Sequence, residues 1–178
     1  SEVEELIEDL KRHLKEVADR VEELERELRK HLEEHHRRVR EIIRRLEDLL
    51  RKAEETRTDE KLKEDLERML REVEREVRDS ERHAKEVNKR VREKVRRIEE
   101  HVKRRNKDVE EKVERDVRRE DLKRRIEKVS RDHERTVEKL VRDLERVSRE
   151  HERTVKENKE RIKKVLDDAR KRVDEVKK

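Results

Sequence analysis

Six residue types are missing from this chain of 178: glycine, proline, cysteine, phenylalanine, tyrosine and tryptophan. At average usage a chain this long would carry about 12 glycines and 9 prolines. Glycine and proline shape tight, irregular loops, so an active site built on loops is excluded in practice. Without cysteine there is no disulfide framework, no thiolate nucleophile, no cysteine-ligated zinc and no clue to redox compartment. Long hydrophobic runs are missing too. No more than two apolar residues ever stand side by side, as in Ile42-Ile43. Nothing spans a membrane, and nothing reads as a signal peptide.

What is present is charge. Lys and Arg number 58 and Asp and Glu 53, so 62% of the chain is ionic while the net charge is only +5. The signs alternate along the whole length, and no basic block concentrates on one tail or face as a nucleic-acid reader requires. The pattern is that of a solvated helix surface laced with i,i+4 pairs, such as Glu8 with Arg12 and Glu86 with Arg90. High charge with low hydrophobicity also marks disordered chains. Here the spacing of the apolar residues argues for order.

The 48 apolar residues (21 Val, 16 Leu, 6 Ile, 4 Ala and Met69) recur every three or four positions. One stripe runs from Val3 through Leu10, Val17 and Leu28 to Ala53, a second from Leu62 to Val113, a third from Leu122 to Val176. At about 100° per residue the stripe centre jumps by about 180° and then by about 110°, which a continuous helix cannot do. The chain therefore breaks twice. Around Thr56–Glu60 the stripe stops, with Thr58 or Asp59 as the helix cap; around Arg118–Asp121 the signal is weaker, with Asp121 as the cap. These marks predict three helices over about 2–56, 59–118 and 121–177. Short connections make neighbours antiparallel, and 27% apolar residues suit a narrow seam. The expected fold is all-α: one domain, residues 1–178, forming a long, straight, antiparallel three-helix bundle.

A repeat runs through it. VSRDHERTV at 129–137 returns as VSREHERTV at 147–155, and His13/His31, His83/His101, Asn88/Asn106 and Ser130/Ser148 share the same spacing of 18. Eighteen residues is five turns at about 3.6 per turn, so this layer repeat describes straight helices and not a heptad supercoil. Saturated Glu/Arg/Lys surfaces, absent loop residues, this repeat and spaced His, Asn and Ser within the stripes resemble de novo designed, parametrically generated helical bundles. The nearest likeness is to those with buried hydrogen-bond networks. The resemblance covers the whole chain. It implies an idealised, very stable, synthetic scaffold with no natural biochemical function or localisation, soluble when expressed in a host cytoplasm. Some bundles of this class with His–Asn networks respond to pH. This chain departs from the common pattern by holding three long helices in one chain.

Polar residues at core phase need partners. Residues equidistant from a turn face each other, which places His35, Ser80 and Asn158 in one buried layer. The same reckoning pairs Asn106 with His133 and Asn88 with His151, with Ser130 and Ser148 close by. It sets His13 opposite His101 and His31 opposite His83, all four about 60–80° off their stripe centres and so at interface edges or the surface. His36 is outside the stripe and solvated. The histidines admit three roles. Imidazoles satisfied by Asn, Ser or one another would fix register and helix order. The same network would respond to acid, because a dry imidazole layer cannot accept a second proton. The rival is a designed metalloprotein with one or two three-histidine sites, zinc-like, at His13, His101 and His133 and at His31, His83 and His151. Against it, a second turn near 119.5 puts His133 about 6–7 Å from the level of His13 and His101, whereas a turn at 117 would align them.

Catalysis has little support: Ser130, His133 and Glu134 have the residue types of a triad but share one helix and lack an oxyanion hole. No enzyme, catalytic residue, cofactor, membrane or nucleic-acid partner, or small-molecule substrate is expected. The chain is read as a monomer or a homo-oligomer through its helical faces, with flank residues Ala18, Leu49, Leu70 and Val141 the only hint of a partner helix.

Overall fold

A computed structural model describes residues 2–55 and 60–176. It holds three helices, α1 (Glu2–Glu55), α2 (Glu60–Asp116) and α3 (Glu120–Glu175), and no strand among the described residues. The chain is a three-helix bundle. Each helix agrees with its apolar stripe to within two residues. The expected caps Thr58 and Asp59 lie outside the described residues. At the second break the helix starts one residue earlier than expected. Lys123 N–H donates to the Arg119 carbonyl at 3.1 Å, which puts Arg119 and not Asp121 at the cap position. Asp121 stands in the first turn instead and accepts from Arg119 Nε and Nη2 at 3.2 and 2.7 Å. Those bonds hold its carboxyl below the usual range, and its charge suits a helix N-terminus.

The chain forms two compact units, residues 1–28 with 89–149 and residues 29–88 with 150–178. In the first, Val3, Leu6, Ile7 and Leu10 of α1 pack with Val109, Val113 and Ile126, and Val117, just past the end of α2, is buried with them. Contacts between His13 and His101 and between Glu27 and Arg90 fall in opposite order along α1 and α2, so these helices are antiparallel. In the second, Val39 to Ala53 of α1, Leu66 to Val73 of α2 and Ile162 to Val173 of α3 form one core, joined by Val176 just past the end of α3. There α1 runs antiparallel to α2 (His35 to Ser80, Arg45 to Glu76) and parallel to α3 (His31 to His151, Glu54 to Arg172).

The flank residues take a different place from the one expected. Leu49 is fully buried, Leu70 and Val141 are buried, and no large hydrophobic is exposed among the described residues. A seam flanked by two helices is wider than a two-helix seam, so these positions face neighbours within the chain. The surface differs in detail as well. Arg12 pairs with Asp9 at 3.7 Å and Arg90 with Glu27 of α1 at 2.7 Å, in place of the i,i+4 partners expected. Bridges between helices also join Glu81 to Lys159 at 3.7 Å and Glu74 to Arg170 at 3.0 Å. Exposed pairs contribute about 0–1 kcal/mol each, so they steer helix pairing more than they stabilise it. No helix among the described residues is long and apolar enough to cross a membrane.

Candidate functional site: two buried histidine layers

The polar residues at core phase gather into one layer in each unit. In the first, α1 supplies His13, α2 His101 and α3 His133. His13 Nδ1 stands 3.1 Å from His133 Nε2, and the His101 ring lies beside His13 with centroids 5.1 Å apart. His13 and His133 are buried, while His101 is exposed. In the second unit His31 Nδ1 stands 2.7 Å from His151 Nε2, and the exposed His83 ring lies 5.0 Å from that of His31. A fourth ring joins this layer: His35, buried one turn along α1, stacks on His31 at 5.9 Å and shares a 3.3 Å hydrogen bond with the Ser80 hydroxyl.

Four sequence expectations give way here. His13 and His31 are core residues, 1% and 6% exposed, and not edge groups. A bundle helix faces two partners, so the side of the stripe pointing between them is also buried. His133 also meets His13 and not Asn106. The second turn is centred near 118, between Asp116 and Glu120, and not near 119.5; each residue of that change moves the facing register by two, so His133 shifts by about 4–5 Å toward the level of His13. Asn106 instead donates from Nδ2 to Glu134 Oε1 at 3.0 Å, and its Oδ1 is buried without a partner. Asn88 does not bond His151; its Oδ1 also lacks a partner. Asn158 is buried, with Nδ2 unpartnered, so it does not complete the His35–Ser80 pair. Ser130 and Ser148 are buried on α3. His36 is exposed. With His133 turned to His13 and Glu134 to Asn106, the residue types of a Ser–His–Glu triad are not linked as one.

Burial dominates the electrostatics. It pushes His13 down from 6.5 to about 4, helped by the charges that His133, Arg105 and His101 would carry, with Glu16 opposing. His31 falls to about 4 through burial and then His151, His83, His35 and Arg38. His35 falls to about 4 through burial and then His151, His36, Arg38 and His83. Burial also lowers His133, with Arg105 adding to it, and His151, where Glu152 opposes. At neutral pH these rings are uncharged. In each joined pair one ring donates N–H and the other accepts. A first added proton is a buried cation; a second removes the last acceptor and sets two cations about 3 Å apart, which a low-dielectric core cannot hold.

Each layer therefore gathers three or four imidazoles. Among the described residues no group of three or more His, Asp or Glu side chains is arranged to hold a metal ion. Beside the first layer a cleft of about 550 Å³ opens between α2 and α3, lined by Val102, Val137 and Val141 and by Asn106, Arg142 and several Glu and Lys side chains. No Ser, Thr or His lines it.

Comparison with known proteins agrees with the architecture. No protein-family model matches the chain, and no curated protein does. Among solved structures it is similar to one described as a computationally designed three helix bundle. That match has a TM-score of 0.56 and 19% identity, over 98% of this chain and 80% of the other. At that identity the likeness concerns the fold.

Proposed function

We propose that this chain is a designed structural scaffold whose buried histidine layers specify helix register at neutral pH and release in acid. The designed origin draws on the fold likeness, the 18-residue repeat and the missing loop residues; no enzymatic role or natural partner is part of it. One observation carries the acid response. Two buried imidazole–imidazole hydrogen bonds, at 3.1 and 2.7 Å, are the polar centres of the two units, and such a bond exists only while at least one ring of the pair is neutral. Polar layers of this kind specify register because any slip breaks the buried imidazole–imidazole bond and leaves its two nitrogens unpaired as well, at a cost of about 1–3 kcal/mol each.

The test is a guanidinium titration followed by far-UV circular dichroism, with EDTA, at pH 7.5 and pH 5, with light scattering for mass. The midpoint is expected to fall at pH 5. An unchanged midpoint would mean that the imidazoles protonate harmlessly, and the molecule would be an inert scaffold. Zinc binding by the same rings is the competing role. Stoichiometric Zn²⁺ at pH 7.5 would raise the midpoint if the folded state held the ion, since a ligand bound only by the native state stabilises it.

A further inference from the structure

In both units the histidine layer has one ring at the surface and others inside. On α2, His101 and His83 are exposed, while the α1 rings they touch, His13 and His31, are buried. Contact is close, with ring centroids 5.1 and 5.0 Å apart. Each α1 ring is in turn joined to an α3 ring, His133 or His151. Imidazole thus touches imidazole from solvent to the far side of the layer, twice, on the same three helices.

We infer that His101 and His83 are the ports through which protons enter the two layers. This rests on the acid-release reading above and adds the route. A buried ring without a route is protonated only when the core opens, and open states of a stable domain are populated at roughly 10⁻³ to 10⁻⁶. An exposed ring in contact with the buried one removes that wait. Imidazole suits the task because it takes a proton on one nitrogen and releases one from the other.

In one tautomer of the first layer, His13 donates from Nδ1 to His133 Nε2, which leaves His13 Nε2 as a lone pair, buried and unpartnered. Hydronium protonates His101, whose exposed ring turns and hands that proton to His13 Nε2, becoming neutral again. The Nδ1 proton of His13 passes to His133 Nε2. One N–H bond has formed and one has broken on His13, one has formed on His133, and the layer has gained one proton and one positive charge. Around this path stand Glu16 on α1 and Arg105 on α2, while Glu134, next to His133 on α3, is turned to Asn106. The second layer offers the same succession of rings, His83, His31 and His151, with His35 and Arg38 on α1 and Glu152 on α3 beside the path. Glu16 and Glu152 favour the incoming charge, and the arginines oppose it.

The experiment is a stopped-flow acid jump from pH 7.5 to about pH 4.5, at a guanidinium concentration above the midpoint at the lower pH and low enough that nearly every chain is folded at pH 7.5. It is read by far-UV circular dichroism because the chain has no aromatic chromophore. Wild type is compared with the H83Q/H101Q double variant and with H36Q, which removes an exposed histidine outside the relay. A denaturant jump at constant pH 7.5 first establishes that all three unfold at the same rate without acid. The double variant is expected to release at least about ten-fold more slowly, limited by core opening. H36Q should keep the wild-type rate. The equilibrium guanidinium midpoint of the double variant at about pH 4.5 should stay put or rise, since a repelling neighbour has gone. If the double variant releases as fast as wild type while wild type still loses stability in acid, the ports are wrong and the acid response stands. If wild type shows no loss of stability in acid at equilibrium, the acid-release reading fails first and the ports fall with it.

Discussion

The two histidine layers are built from the same repeat and differ in the structure. Each joins an α1 ring to an α3 ring 120 residues away and sets an exposed α2 ring beside it. Only the second adds His35, a buried imidazole with no counterpart 18 residues earlier, where Val17 stands. The addition changes the chemistry more than the packing. His13 feels two other histidines, whereas His31 feels three. The repeat determines which rings meet; the unrepeated residue determines how much proton load the layer refuses. Most of the acid sensitivity should therefore reside in the second unit.

Acid should have the largest effect. His13, His31 and His35 ionise near 6.5 when unfolded and at about 4 when folded. Between those values the unfolded chain binds protons that the folded chain does not, so stability falls as pH falls. The contribution is complete above about pH 6.5, shrinks through pH 5 and levels off below about pH 4. Each tenfold loss of proton affinity on folding is worth about 1.4 kcal/mol per group, and coupled rings do not add fully, so the loss is on the order of 5 kcal/mol. Guanidinium midpoints across this window measure it, and a flat profile would sink the account of both layers.

Cavities come next, one per unit. Leu10 is 1% and Leu46 0% exposed, so Leu10→Ala and Leu46→Ala should each cost about 2–5 kcal/mol. If the chain is one domain, as proposed from its sequence, either variant shifts a single cooperative transition. Two separated steps in the denaturation curve of either one would instead make the units independent folding bodies, and the comparison of their layers would become one of two domains.

How much of this was legible in the sequence depends on what each feature rests on. The helices follow from apolar spacing averaged over some fifty residues, so their existence and ends came within two residues. Layer partners rest on single positions. The Arg118–Asp121 break carries no glycine or proline, and a small error there, at about 1.5 Å per residue, is enough to exchange Asn106 for His13 as the partner of His133. A readable signal did exist: His13/His31 and His133/His151 share one spacing, so a single offset between α1 and α3 aligns both pairs. The burial of Leu49, Leu70 and Val141 was hidden for another reason. One stripe centre per helix describes a single interface, and each helix here has two.

Removing the unrepeated ring should make the layers alike. His35→Leu alone leaves the Ser80 hydroxyl without its partner, though a helical serine can turn to the carbonyl one turn back. The double variant His35→Leu/Ser80→Ala removes both groups and should be neutral or stabilising at pH 7.5 by up to about 2 kcal/mol. Its gain over wild type should grow toward pH 5, because one buried base that resists protonation has gone. Midpoints at the two pH values give the difference directly. An equal gain at both would show that His35 contributes nothing to the acid response.

The smallest effect separates the asparagines. Asn106 spends its amide on Glu134, at the cleft wall, whereas Asn158 is 8% exposed with its Nδ2 unpartnered. Replacing a buried, unmet donor by an apolar group of similar size removes a desolvation cost and loses no bond, so Asn158→Leu should stabilise by about 1 kcal/mol. Asn106→Leu breaks a bond that is half in water and frees a carboxylate to solvate, so the two effects should nearly cancel. Neither side chain is titratable, and both variants should keep the wild-type pH profile while differing in level. A strong loss from Asn158→Leu would mean that its amide holds register in the second unit after all, and that the layer extends from His35 and Ser80 to a third helix.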